Sequence, residues 1–156
     1  MPVCSRFYLL QQPTGQTFHP GPLMADGPWL DVEVHVPKAF EDLLVQQGKP
    51  VPKPISGRAL IDTGASISAV DDSIITSLGV QPVGVTQVNT PSGSAQQNQY
   101  PVRFTFPGSG LPDLSVHQAI GSVLKGQGII ALIGRDAMSS LILVYNGPGG
   151  HITLAI

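Results

Sequence analysis

From Trp29 to Val36 apolar and polar residues alternate one by one, the period of a strand with one face on a core. Pro37 ends that run, and Phe40, Leu43 and Leu44 then share one helical face ahead of Gly48, which predicts a short helix over Pro37–Gln47. The Pro-rich run from Lys49 to Pro54 stays extended, because proline restricts both itself and the residue before it. A short apolar strand over Gly57–Ile61 runs directly into Asp62, and Ile67–Val70 continues it beyond a turn of small residues. Asp71 or Asp72 caps a helix over Ser73–Leu78, closed by Gly79. Gln87–Thr90 and Tyr100–Phe106 flank Pro91-Ser92-Gly93-Ser94 and read as a hairpin. A strand over Leu114–Ile120 and a second apolar run, Ile129–Ile133, follow; the latter stops at Gly134 and gives way to one or two helical turns over Arg135–Ser140. Leu141–Tyr145 and His151–Ile156 form a last hairpin around Asn146–Gly150.

The pattern therefore predicts about eight to ten short strands and two or three short helices, an all-β domain that is closed or sandwich-like. The 18 glycines and 15 prolines agree with many punctuated turns, and 156 residues fit one domain. Gln11–Gly27 mixes Pro, Gly and polar residues without period and is expected to wrap the surface or stay loose. On this reading residues 1–28 are an N-terminal extension, loose or a pro-segment, and residues 29–156 are the domain.

Charge and composition remove several functions. A net charge of −2 without a Lys/Arg cluster argues against a nucleic-acid partner. Cys4 stands alone, so cysteine usage gives no sign of an oxidising compartment. No apolar stretch approaches the ~20 residues of a membrane span, and the apolar run near the N-terminus is too short for a signal peptide, so a cytoplasmic protein with no membrane partner is expected. The four histidines are scattered without ligand spacing, which argues against a metal. Gly126-Gln127-Gly128 and Gly147–Gly150 lack the lysine of a phosphate loop, so no cofactor is expected.

The segment with the most chemistry is Leu60-Ile61-Asp62-Thr63-Gly64-Ala65-Ser66, a carboxylate at the end of an apolar strand on a turn of small residues. An Asp so placed meets low dielectric and backbone N–H groups together. A plain turn-capping role is the alternative. Ser66 and Ser68 lie close by, but no Gly-x-Ser-x-Gly elbow accompanies them, which speaks against a serine nucleophile. The second notable segment, Leu132-Ile133-Gly134-Arg135-Asp136, has the pattern apolar-apolar-Gly-Arg-Asp.

Together these two segments, with the 88–95 hairpin between them, resemble the retropepsin-like aspartic proteases over roughly Asp31–Ile156. The resemblance implies a single-lobed closed β-barrel with a flap hairpin and one to three short helices. It implies Asp62 as the catalytic residue, with Thr63, Gly64, Ala65 and Ser66 supporting its loop. Thr90, Pro91, Ser92 and Gly93 would form the flap over substrate, and Ile133, Gly134 and Arg135 would lie beneath the site or at a dimer contact. Two carboxylates about 3 Å apart share one proton and activate water between them, with no covalent intermediate. One Asp-Thr-Gly per chain then implies a homodimer, the second Asp62 arriving by two-fold symmetry. The implied substrate is a polypeptide. Ala65 stands where pepsin-like enzymes carry a hydroxyl donor, which implies a less acidic working range. The family's acid after Asp-Thr-Gly-Ala is Ser66 here, leaving Asp136, Asp71 or Asp72 as partners for Arg135. Val85, Val88, Phe104 and Ile130 are candidates for either cleft or core. The competing reading is a silent dimeric module of the same fold that binds or scaffolds peptides.

Overall fold

A computed structural model of the chain describes residues 2–90 and 93–156. In chain order the first elements are β1 (Val3–Phe7), β2 (Leu9–Gln12), β3 (Gly15–Phe18) and α1 (Pro20–Asp26). Next come β4 (Trp29–His35), α2 (Lys38–Gln46), β5 (Ile55–Ile61), β6 (Ala69–Asp71) and α3 (Asp72–Leu78). The remainder comprises β7 (Gly84–Thr90), β8 (Gly93–Thr105), β9 (Leu114–Ser122), a 3-10 turn over Lys125–Gln127, β10 (Ala131–Ile133), α4 (Arg135–Met138), β11 (Ile142–Asn146) and β12 (His151–Ala155).

The alternation in β4 turns Leu30, Val32 and Val34 inward, while Asp31 faces solvent. Six strands pair in the order β4-β5-β10-β6-β9-β8, and pairing of Glu33–His35 with Arg103–Thr105 joins the last to the first. The result is a closed barrel, which leaves no bare edge among those strands. Its interior holds Val32, Ala59, Ile61, Val102, Phe104 and Ile133, each 3% exposed or less. Burial of side chains of this size contributes about 1.5–3 kcal/mol each.

β8 has two jobs along its length. Its first half pairs with β7 (Gly84–Thr90 against Gly93–Gln99) as a projecting hairpin, and its second half is a barrel wall. The shift between them falls at Pro101: Tyr100 faces Ala119 and Val102 faces Val116, so β9 carries one extra residue there. Proline has no N–H to give to the ladder, and a bulge absorbs that loss.

α3 is set by its ends. The Asp71 carboxylate accepts from Ser73 N at 3.0 Å, and Gly79 closes the helix in the left-handed conformation at φ 66°. The same carboxylate also accepts from the Ser73 hydroxyl and from Leu124 N and Lys125 N at 2.8 and 2.9 Å, tying α3 to the turn before β10.

The segment Gln11–Gly27, expected to wrap the surface or stay loose, holds the end of β2, all of β3 and α1. α1 is capped by His19 Nδ1 accepting from Gly21 N at 2.9 Å. That cap is a histidine, outside the usual Ser/Thr/Asp/Asn signal, so the pattern gives no warning of this helix. β1 pairs with β12, which pairs with β11, forming a separate three-stranded sheet from both ends of the chain. Tyr8 and Leu23 are buried in the core at 3% and 1% exposure. Tyr8 donates to Trp29 O at 2.7 Å and meets the Trp29 ring edge-on at 5.6 Å. The Arg6 and Arg58 guanidiniums each lie 4.0 Å from the centroid of that ring, and Arg6 pairs with Asp31.

Two outcomes follow. Tyr8→Ala removes a buried ring from the contact between N-terminal segment and barrel, at a cost of about 3 kcal/mol. A thermal melt should fall by about 6–12 °C. Asp71 is held down to about 2 from its usual 3.8, first by the Ser73 hydroxyl and then by the Leu124, Lys125 and Ser73 N–H groups, which outweigh burial. A depressed carboxylate stabilises the fold above its unfolded pKa and loses that contribution as pH falls through the folded one. Urea midpoints for the native chain should therefore drop between about pH 4 and pH 2, and Asp71→Asn should be weaker at neutral pH with a flatter acid limb.

Candidate active site

Parallel pairing of β5 with β10 puts Ile61 beside Ile133 at the strand ends, so the chain leaves the barrel wall at Asp62. Asp62 N donates to Ile133 O at 3.0 Å, a last ladder bond that fixes where the strand stops. The chain then turns over Thr63 and Gly64, both exposed, and the Asp62 carboxylate folds back. Its Oδ1 accepts from Gly64 N at 2.9 Å and Ala65 N at 3.2 Å. A Cβ on residue 64 would stand 3.1 Å from that oxygen, so Gly64 is what lets the loop close so tightly.

The opposite side of the same peptide units is also held. Arg135 Nη1 donates to Thr63 O at 2.7 Å and to Gly64 O at 2.9 Å. In a trans peptide the C=O and the following N–H point in opposite directions. The Thr63–Gly64 and Gly64–Ala65 units are thus gripped from both sides, by Arg135 at their oxygens and Asp62 at their nitrogens. Thr63, Gly64 and Ala65 surround Asp62, and Ser66 is exposed just beyond. Of the acids left open as partners for Arg135, Asp136 and Asp71 are engaged elsewhere, and the guanidinium meets these two carbonyls.

α4 is seated on the loop through its N-terminus. Arg135 N donates to Ala65 O at 3.0 Å and Asp136 N to Ser66 O at 3.3 Å. Ser68, fully buried, accepts from Gly134 N at 3.0 Å and donates to Asp136 Oδ1 at 2.7 Å, while its own N–H donates to Asp136 Oδ2 at 3.0 Å. Ile133 lies below at 1% exposure. A Cβ on residue 134 would come within 2.7 Å of the Ile67 carbonyl carbon, a backbone atom. Glycine is therefore required by close approach of two backbones. Ser68 and Asp136 are the pair that sequence reasoning missed as parts of this seat; an acid in the first turn of a predicted helix was the available sign.

Asp62 opens on a cleft of about 610 Å³. Ile67, Ala69, Ile120 and Leu132 give it apolar walls, and Gln87, Val88 and Asn89 of β7 lie on the side of the projecting hairpin, with Gln97 and Ser122 alongside. Among the described residues Asp62 is the one ionisable side chain on this lining. Of the expected flap residues, Thr90 ends β7 and pairs with Gly93 at the start of β8, while Pro91 and Ser92 lie outside the described residues. Among the described residues, β7 contributes Gln87, Val88 and Asn89 to the cleft lining. Val88 reaches it, whereas Phe104 belongs to the core, Ile130 packs over Gly57 and Val85 is 60% exposed. Gln87, Gln97, Ile120 and Ser122 carry no local signal for the cleft, since only closure of the barrel brings them together. Among the described residues no group of three or more His, Cys, Asp or Glu could hold a metal ion, and no helix is long and apolar enough to cross a membrane.

A family model described as aspartyl protease matches residues 47–137, more than half of the chain and the stretch that holds both notable segments. Curated proteins include no match. Among solved structures the chain is similar to the simian foamy virus (mac) protease in solution, at 17% identity over 71% of this chain and 91% of that one, with a TM-score of 0.43. It is also similar to the foamy viral protease-reverse transcriptase in complex with an RNA/DNA hybrid, at 18% identity over 72% of this chain and 12% of that one, with a TM-score of 0.45.

Gly134→Ala should force α4 away from the Ile67–Ser68 backbone at a cost of about 2–3 kcal/mol. The measurement is the urea midpoint. An unchanged midpoint would contradict the close approach described.

Proposed function

Because the chain belongs to the aspartyl protease family, we propose that it is an endopeptidase working as a homodimer, in which water held between two Asp62 carboxylates attacks the peptide bond. The observation that carries this reading is a carboxylate gripped by two backbone N–H groups in a cleft that contains no second acid among the described residues. Paired acid/base chemistry needs one ionised and one protonated carboxyl group in contact. A two-fold axis at the exposed Thr63–Gly64 turn would supply the missing member from a second copy. The ionised carboxylate takes a proton from the water as it attacks, and the protonated one donates to the carbonyl oxygen, giving a gem-diol intermediate. The first carboxyl then passes its proton to the amide nitrogen while the second takes one from a diol hydroxyl, so the C–N bond breaks and the amine leaves neutral.

Roles for the neighbours follow. Arg135 orients the Thr63–Gly64 and Gly64–Ala65 peptides so that their N–H groups face Asp62, and the Ser68–Asp136 link keeps α4 under the loop. Ala65 offers its N–H and no hydroxyl, in keeping with a less acidic working range than that of a pepsin-like site. The hairpin of β7 and the first half of β8 would cover a bound peptide. The apolar walls suit apolar side chains next to the scissile bond.

Asp62→Asn should abolish hydrolysis of a denatured protein substrate, a loss of at least about 10³-fold, while the melting temperature stays close to that of the native chain. Activity per mole of the native chain should also fall on dilution in step with dissociation measured by sedimentation. Cleavage that survives Asp62→Asn, or a monomer as active as the dimer, would sink the shared-dyad reading.

A further inference from the structure

The cleft at Asp62 does not end at its apolar walls. Gln97 and Ser122 line it and also line a second cavity of about 480 Å³, bordered further by Gln96, Asn98, Tyr100 and Asp72. The two cavities therefore share a wall, and the character of the lining changes across it. Around Asp62 lie Ile67, Ile120 and Leu132, whereas the second cavity is dominated by side-chain amides and hydroxyls.

Gln97 carries the decisive detail. Its Oε1 is buried and accepts no hydrogen bond from the described residues. A buried amide oxygen without a partner costs about 1–3 kcal/mol, and native structures rarely keep one without a use. The last torsion of a glutamine is broad and two-fold, so rotation about it can bring the amide oxygen toward the shared wall of the two cavities. What it lacks is a donor. A substrate amide side chain would supply one to Oε1 and accept one from Nε2 at the same time, and a hydroxyl would supply the donor alone. A carboxylate has no donor to offer, and Asp72 and Asp62 would repel it.

Resting on the aspartic endopeptidase reading above, we infer that the second cavity is a polar substrate subsite in which Gln97 selects an amide- or hydroxyl-bearing side chain and rejects acidic ones. The preferred polypeptide has apolar residues at the scissile bond and an Asn, Gln, Ser or Thr at a further position of the same bound stretch. Gln97 is here a specificity-determining residue, remote from the reacting atoms.

The test reads binding, so that it does not depend on turnover. Dimeric Asp62→Asn protein is used to select from a random peptide library in three forms, with Gln97, Gln97→Leu and Gln97→Glu. With Gln97, Asn, Gln, Ser and Thr should be enriched together at one position, about fivefold over Asp and Glu, the worth of one net hydrogen bond. Gln97→Leu should flatten that position, and Gln97→Glu, which keeps an acceptor of the same length, should shift it to Lys and Arg. The same profile in all three forms, no enrichment at any position, or enrichment of acidic residues there would overturn the inference. Hydrolysis by the native chain is scored separately: a chain that selects amide side chains but never hydrolyses a peptide keeps the subsite and loses the protease reading.

Discussion

Everything at the cleft depends on two peptide units, Thr63–Gly64 and Gly64–Ala65, being held from opposite sides. Arg135 takes their oxygens and Asp62 takes their nitrogens. Neither grip suffices alone. The carboxylate could not draw both N–H groups inward if the carbonyls were free to seek water, and the guanidinium would find no carbonyl pair if the turn opened. Charge assistance from the guanidinium strengthens the bonds on the oxygen side. An exposed turn of small residues, ordinarily among the looser parts of a fold, thereby becomes a fixed platform for a carboxylate.

The platform needs a foundation, and α4 provides it. This helix is only four residues long, too short to be stable by itself. It persists because its first N–H groups bond to the Ala65 and Ser66 carbonyls, and because Ser68 and Asp136 join it to the strand below. The barrel in turn fixes how far apart these parts are. β5 and β10 run parallel, so Asp62 and Gly134 leave the sheet side by side although 72 residues separate them in the chain, the same separation as between Thr63 and Arg135.

Closure also creates the cleft. β8 begins in a projecting hairpin and ends in the barrel wall, so one strand joins the hairpin beside the cleft to the wall of the barrel. The bulge at Pro101 is where that change of role takes place. The N-terminal segment braces β4: Arg6, together with Arg58 of β5, lies against the Trp29 ring, and Tyr8 bonds the Trp29 carbonyl. The amide-rich neighbour of the Asp62 cleft draws most of its polar lining from the contiguous run Gln96-Gln97-Asn98, with Tyr100 and Ser122, whereas the apolar walls around Asp62 come from separate strands.

Local pattern alone determined a good deal about this chain. The alternation in β4, the strand that carries Asp62, the Asp71 cap and the Gly79 stop are all encoded by residues within a few positions of one another, where period and capping chemistry act directly. The Asp-Thr-Gly turn and the Ile133-Gly134-Arg135 segment were legible for the same reason: each is a strand end with distinctive small or charged residues. Tertiary structure decided the rest. Whether Arg135 met an acid or a carbonyl depended on which atoms closure brought within reach, and a strand register has no signature in a single segment. The histidine cap of α1 and the burial of Tyr8 escaped because their partners are an unusual capping group and a distant strand. Gln87, Gln97 and Ile120 look like ordinary strand residues, and only the paths of β7 to β9 around the barrel make them walls of one cleft.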